Sequence, residues 1–241
     1  MGDIPGILQR LSIDAVPLLL AITFHEAAHG YVAYRKGDPT AKMLGRVTLN
    51  PIPHIDPFGT ILLPALMILM NVGVVFGWAR PVPVNFRLLR DPKRDPIYVA
   101  SAGVVTNLLL AIASGLILQL IGLLDPASLR KGLLYFITRM IPSGEGGAQT
   151  VLLPLALMCV ASVKWNVVLA IFNLIPVPPL DGGRIAVGLL PYGPSQALAS
   201  IERFGMLIVI VLLAWDPFGI FQSIVGPVMR FLMLLFLGVG H

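Results

Sequence analysis

The sequence predicts an all-α polytopic membrane fold. About five to six membrane segments are expected, one of them re-entrant, with a small β element near the functional centre. Three observations lead there. Of 241 residues, 56% are hydrophobic and only 12% are charged, against about 25% charged in a soluble domain. The apolar residues fall in long runs of membrane-helix length. Lys and Arg gather in a few loops, as orientation signals do, so the net charge of +5 is not the footprint of a nucleic-acid binder. One membrane-embedded domain over 1–241 is the natural count.

The first run covers 11–34. It resembles a leader after Arg10, but no small-residue cleavage pattern precedes the polar motif inside it, and it reads as an uncleaved first helix. Residues 35–56 are polar and punctuated by Gly37, Asp38-Pro39, Asn50-Pro51 and Pro53, too irregular for a helix and suited to short strands. The run 61–76 contains Pro64 and is short of the roughly 20 residues a spanning helix needs. Prolines hold 77–86 extended, and a basic loop follows to Arg94. The run 97–124 is long enough to span, 125–149 is mixed and partly amphipathic, and 150–175 is the next apolar run. The core is expected over about 11–190, with two further helices over about 204–238 on either side of Trp215-Asp216-Pro217. Trp78 and Trp215 stand beside turn signals, as interface residues do. The single cysteine, Cys159, lies in an apolar run; it excludes an intrachain disulfide and a thiolate cluster and reads as a small core residue.

Within the first run stands His25-Glu26-Ala27-Ala28-His29. On a helix, residues four apart share a face, so one metal ion can touch both imidazoles. Glu26, beside the first of them, can reach a water there, which is the His-Glu-x-x-His arrangement of zinc hydrolases. Titratable groups inside a membrane helix cost about 2.5–3.5 kcal/mol each, which points to a site; the plainer reading is a helix end meeting water. A catalytic zinc takes three protein ligands and keeps one position open. The other histidines are His54 and His241, so a carboxylate is the expected third ligand, and Asp181 is the candidate. It follows a proline-rich break at a helix end and precedes Gly182-Gly183. The same pattern also fits a helix-stop turn with Asp181 capping the next element.

Direction bears on that choice. Both the histidine pair and Asp181 lie toward the C-terminal ends of their helices, so the two helices must run the same way, with an odd number of crossings between them. Of the two candidates, 61–76 and 97–124, the shorter one should then enter and leave on one side. With 61–76 re-entrant, eleven Lys and Arg fall on the metal side and four, Arg10, Arg130, Lys131 and Arg139, on the other. With 61–76 spanning, the division is eight against seven. Basic residues stay cytoplasmic, so the metal side is expected to face the cytoplasm.

Together with Asn173-Leu174-Ile175-Pro176-Val177-Pro178-Pro179-Leu180-Asp181-Gly182-Gly183, the His-Glu motif resembles the site-2 protease family of intramembrane zinc metalloproteases. Residues 41–60 and 77–107 are similar to its compact prokaryotic branch without a PDZ-like or cystathionine-synthase-like domain, and the resemblance covers about 20–190. It implies one Zn2+ held by His25, His29 and Asp181, Glu26 as general base, and Asn173 as a donor to the oxyanion. It also implies a transmembrane protein or peptide substrate met within the lipid bilayer of a prokaryotic plasma membrane. One departure is visible: Gly103-Val104-Val105-Thr106-Asn107 stands where the family usually has Gly-Pro-x-x-Asn, which leaves the local helix start open. Competing readings are a transporter, which would show paired inverted halves, and a catalytically silent scaffold.

Several further residues have two readings each. The extended run Arg80–Phe86 is a candidate strand for capturing an unwound substrate, or a plain loop. Asn107 and Asn166 line the site or bond a neighbouring helix. Lys164 snorkels or pairs with a buried acid. His54 gates the site or is a hydrogen-bonded loop histidine. A cysteine replacing Arg87 in intact cells should react with membrane-impermeant reagents only after the cytoplasmic face is opened; labelling from outside contradicts the assigned orientation.

Overall fold

The computed structural model describes residues 4–70, 77–138, 140–215, 219 and 221–238. The first long helix, α1 (Ile4–Arg35), absorbs the whole first apolar run. It stops where Gly37 takes φ of +113° and the Asp38 N–H closes on the Ala33 carbonyl at 2.9 Å, a left-handed exit that glycine makes without strain. After it come α2 (Thr40–Met43), a tight turn at Ile52–His54, and a wide turn at Pro57–Leu62 that leads into α3 (Leu63–Leu69). Asp56 caps the wide turn through the N–H groups of Phe58 and Gly59.

Beyond the extended residues 77–85 lies α4 (Asp95–Leu124), an unbroken helix. The missing proline in Gly103-Val104-Val105-Thr106-Asn107 therefore does not displace the helix start, which falls two turns earlier at Asp95-Pro96. α5 (Pro126–Thr138) begins under the Asp125 carboxylate, and α6 (Gln149–Asn173) matches the expected run 150–175. α7 (Asp181–Leu189), α8 (Tyr192–Ser200), α9 (Glu202–Trp215) and α10 (Gly226–Leu237) complete the chain. The two helices expected over 204–238 correspond to α9 and α10; α7 and α8 were not expected.

The centre of the fold is the bundle of α1, α4 and α6. Asn107 on α4 reaches Ala21 on α1, and Val99, two turns earlier, reaches His29, so α1 and α4 run antiparallel. Asn107 meets Asn166 while Ser114 meets Ser162, so α4 and α6 are antiparallel as well. α1 and α6 therefore run the same way, as convergence of their C-terminal ends requires. Alanines 21, 111, 156 and 170 of these helices are fully buried, and small residues let membrane helices approach closely without a water-driven force. Leu118, Val160, Val163 and Val167 fill the core. The outer face of α4 shows Leu109, Leu116, Leu120 and Leu123 to its surroundings, a surface suited to lipid rather than water.

Only α4 and α6 are, among the described residues, long and apolar enough to cross a membrane by that measure. α1 is longer but carries Asp14, His25, Glu26 and His29 within it. Of the expected five to six segments, two clearly apolar helices of spanning length are in place, and Pro57–Met67 and Ser223–Leu237 are shorter apolar helices. The run 61–76 lies partly outside the described residues; the residues that flank it are joined, the Trp78 N–H donating to Gly59 O at 3.1 Å and Thr60 Oγ1 to Trp78 O at 2.8 Å.

The small β element is corrected. No strand occurs among the described residues. The extended segment 77–85 spends its backbone donors on other partners: Arg80 on His54 O, Val82 on the Glu26 carboxylate and Asn85 on the Asp38 carboxylate. Pro81 and Pro83 have no N–H to give, so little is left for a ladder.

At mid-bundle Lys164 of α6 donates to Asp14 of α1, joined by Trp165 Nε1 at 2.8 Å and Tyr135 Oη at 3.1 Å. Lys164 thus pairs with an acid rather than snorkelling. Removing one partner of a buried pair costs about 3–5 kcal/mol, more than removing both. Lys164→Met should therefore unfold in detergent at lower temperature than the Asp14→Asn/Lys164→Met double variant; equal losses would show that the pair is not coupled.

Candidate metal centre

His25 and His29 project from one face of α1, where the 3.6-residue period places them one turn apart. Both are buried, at 6% and 8% exposure. Each Nδ1 faces an atom that can only accept: Asn107 Oδ1 at 2.6 Å for His25 and the Val99 carbonyl at 2.7 Å for His29. Each imidazole therefore carries its hydrogen on Nδ1 and turns an Nε2 lone pair inward. The two Nε2 atoms stand 2.9 Å apart.

Asp181 completes the set. The backbone turns back after α6 through Leu174–Leu180, and α7 starts at Asp181 with Leu180, not Asp181, as its N-cap. The helix-stop capping alternative is thereby excluded, because the Asp181 side chain is not spent on its own helix. Its Oδ2 lies 3.2 Å from His25 Nε2 and 3.3 Å from His29 Nε2, is buried, and has no hydrogen-bond donor. The two glycines after it serve close approach rather than an unusual turn. A methyl on Gly182 would fall 2.2 Å from Leu174 O, and one on Gly183 would fall 2.2 Å from Pro178 N.

Three acceptor atoms thus converge with no hydrogen among them, an arrangement that repels itself unless a cation sits between. Ligand atoms around a tetrahedral zinc at about 2.0–2.1 Å are about 3.3 Å apart, close to the two histidine–aspartate distances. The donor set, two nitrogens and one oxygen, is that of hydrolytic zinc with one position left over. Among the described residues it is the one such group able to hold a metal.

Sequence reasoning left the second layer open. Asn107 is fully buried; its Nδ2 donates to Ala21 O at 3.2 Å and Asn166 Oδ1 at 2.8 Å, which fixes Oδ1 toward His25. Asn166 in turn donates to Ser162 O at 2.9 Å. Gly103, one turn before Asn107, lies against both rings; a methyl there would sit 2.5 Å from His25 Cε1 and 2.6 Å from His29 Nε2. A glycine and an asparagine four apart in an apolar helix were the available signal.

The remaining predicted residues take the following places. Glu26 lies between the ligands in sequence and holds the Val82 N–H with Oε2 at 2.6 Å. Asn173 closes α6, and its Nδ2 donates to Leu169 O at 2.9 Å. His54 is buried, with Nε2 at 3.1 Å from Thr48 O, as a hydrogen-bonded loop histidine is. His241 lies outside the described residues.

Two histidines and a carboxylate closing on one point, inside a bundle of apolar helices, define a candidate mononuclear metal centre of the hydrolase type. Residues 14–214 match the family model described as Peptidase family M50, and the chain belongs to that family. It is 39% identical over 207 residues to the "Putative zinc metalloprotease YwhC" of Bacillus subtilis, covering 85% of this chain and 80% of that one. It is 30% identical over 203 residues to the "Putative zinc metalloprotease Rip2" of Mycolicibacterium smegmatis, covering 81% of this chain and 64% of that one. No solved structure matches.

Outer partners of metal-binding histidines typically account for 10–100-fold in affinity. Asn107→Leu should therefore weaken zinc binding by about that factor in a chelator competition while the protein stays folded. Unchanged affinity would remove Asn107 from the centre.

Proposed function

We propose that this chain is an intramembrane zinc endopeptidase that hydrolyses peptide bonds within or near transmembrane segments of membrane-protein substrates. The observation that carries the reading is the convergence of three buried acceptor atoms, from His25, His29 and Asp181, at one end of an apolar helix bundle. Zinc is the metal of the family's named relatives. When bound, it lowers the pKa of a water to about 7 and polarises a carbonyl.

The chain's own residues supply the rest. Glu26 takes a proton from water at its carboxylate and returns it to the leaving amine. Asn173 turns its amide from Leu169 O toward the oxygen on which charge develops, a contribution of about 2.7–4 kcal/mol for such a donor. The segment Arg80–Phe86, extended as far as Asn85, receives the unwound substrate, since a helical segment hides its amides in its own hydrogen bonds. The Val82–Glu26 bond links that segment to the base: when Val82 pairs with substrate, the Glu26 carboxylate is released to water.

The proposed domain spans 1–241, with the catalytic core over about 11–190 and α9 and α10 beyond it. The segment 61–76 enters and leaves on the metal side, a reading supported by the hydrogen bonds between Gly59, Thr60 and Trp78. The metal side faces the cytoplasm of a prokaryotic cell, as the distribution of Lys and Arg supports.

Co-expression with candidate single-span proteins is the test. Native enzyme should cleave at least one of them. Glu26→Gln should retain about one zinc per chain and lose cleavage by roughly 100-fold or more, while His25→Ala should lose the metal. Cleavage that survives Glu26→Gln with zinc in place would contradict the mechanism.

A further inference from the structure

The prolines on either side of Val82 line a cleft of about 350 Å³, whose other walls are Leu44, Arg46, Pro53 and Arg80. Its two charged residues are both arginines. Arg46 is only 8% exposed. Its Nη2 donates to Arg80 O at 2.7 Å and Pro81 O at 3.3 Å, and its Nε has no partner. Neither guanidinium forms an ion pair with a carboxylate among the described residues. Burial, and after it the charge of Arg80, hold Arg46 below the usual arginine range, with Glu26 opposing. A buried cation is normally paired, because leaving it without a counter-charge is costly. Here Glu26 is the carboxylate that acts on it, but from beyond ion-pair distance and with its Oε2 held by the Val82 N–H, which leaves room for a closer counter-charge.

The position of the cleft indicates the source of that anion. Its wall is the same extended segment whose Val82 N–H is held by Glu26, so a ligand seated beside Pro81 and Pro83 lies within one residue of the contact to the base. An extended chain sets alternate side chains to opposite sides, which lets one substrate residue enter the cleft while its backbone continues toward the metal. Guanidinium groups match a carboxylate's geometry through paired N–H donors. Leu44 and the three prolines supply no side-chain donor or acceptor that would favour an uncharged polar group.

We propose that this cleft is a substrate subsite for an acidic side chain, an aspartate or glutamate near the bond to be cleaved, with Arg80 as its accessible partner and Arg46 as the buried charge that reinforces it. The inference rests on the peptidase reading and adds a sequence preference to it: segments with an acid at one fixed position are the favoured substrates.

The test uses the full chain in nanodiscs and synthetic single-span segments. These are identical except for Glu, Gln or Lys moved through the roughly five to six residues, one strand length, on each side of the cleavage point. Two quantities are read: the cleavage rate with zinc, and the Kd for chelator-treated enzyme. At one position Glu should exceed Gln by about tenfold in both, with Lys weakest. Arg80→Gln should level the series and Arg80→Glu should favour Lys, with zinc content checking that each variant is folded. Equal behaviour of the three segments at every position, or an unchanged order in Arg80→Glu, would overturn the subsite. So would rates that follow the phosphatidylglycerol content of the nanodisc whatever the segment's charge, since the arginines would then serve a lipid headgroup. Preserved ranking in Kd without cleavage of any segment would keep the cleft and defeat the peptidase reading; cleavage without ranking would do the reverse.

Discussion

The Nδ1 hydrogens of His25 and His29 are each anchored on an acceptor, Asn107 Oδ1 and the Val99 carbonyl, and the rest of the centre follows from those two bonds. They leave both Nε2 lone pairs pointing at Asp181 Oδ2. Three acceptors so close together are tolerable only around a cation. The three acceptor atoms are thus aimed at one point, and Asn107 holds its orientation through Asn166 and Ser162.

That polar chain crosses α4 and α6 in an environment otherwise made of alanine, valine and leucine. Its members satisfy one another, as buried polar groups must. The Asp14–Lys164 pair does the same further along the bundle, linking α1 and α6, the helix that carries the histidines and the helix that leads to Asp181. Both features fix the relative depth of the two helices. A shift of one turn, about 5.4 Å, would separate ligands whose atoms now lie within 4.8 Å of one another.

Much of this was legible in the residues. His25 and His29 declare themselves through helical spacing. Asp181 was the candidate for a third ligand, with a capping turn as the alternative until the family motif implied the ligand, and α4 and α6 appear as long apolar runs. What the sequence concealed was contact between distant parts. Asn107 and Asn166 looked like isolated polar residues because their pairing is across helices. Gly182 and Gly183 suggested a turn, whereas they make room for the backbone at Leu174 and Pro178. The expected β element failed because a strand needs a neighbour with free donors. Those of Arg80, Val82 and Asn85 go to His54, Glu26 and Asp38, partners that lie 26 to 56 residues away in the sequence.

The most direct measurement is X-ray absorption at the zinc edge on the full chain in a membrane mimetic. The account predicts one zinc per chain with two imidazole nitrogens and oxygen ligands at about 2.0–2.2 Å, and loss of one oxygen ligand in Asp181→Ala. A spectrum with one imidazole or none, or one that Asp181→Ala leaves unaltered, would contradict it.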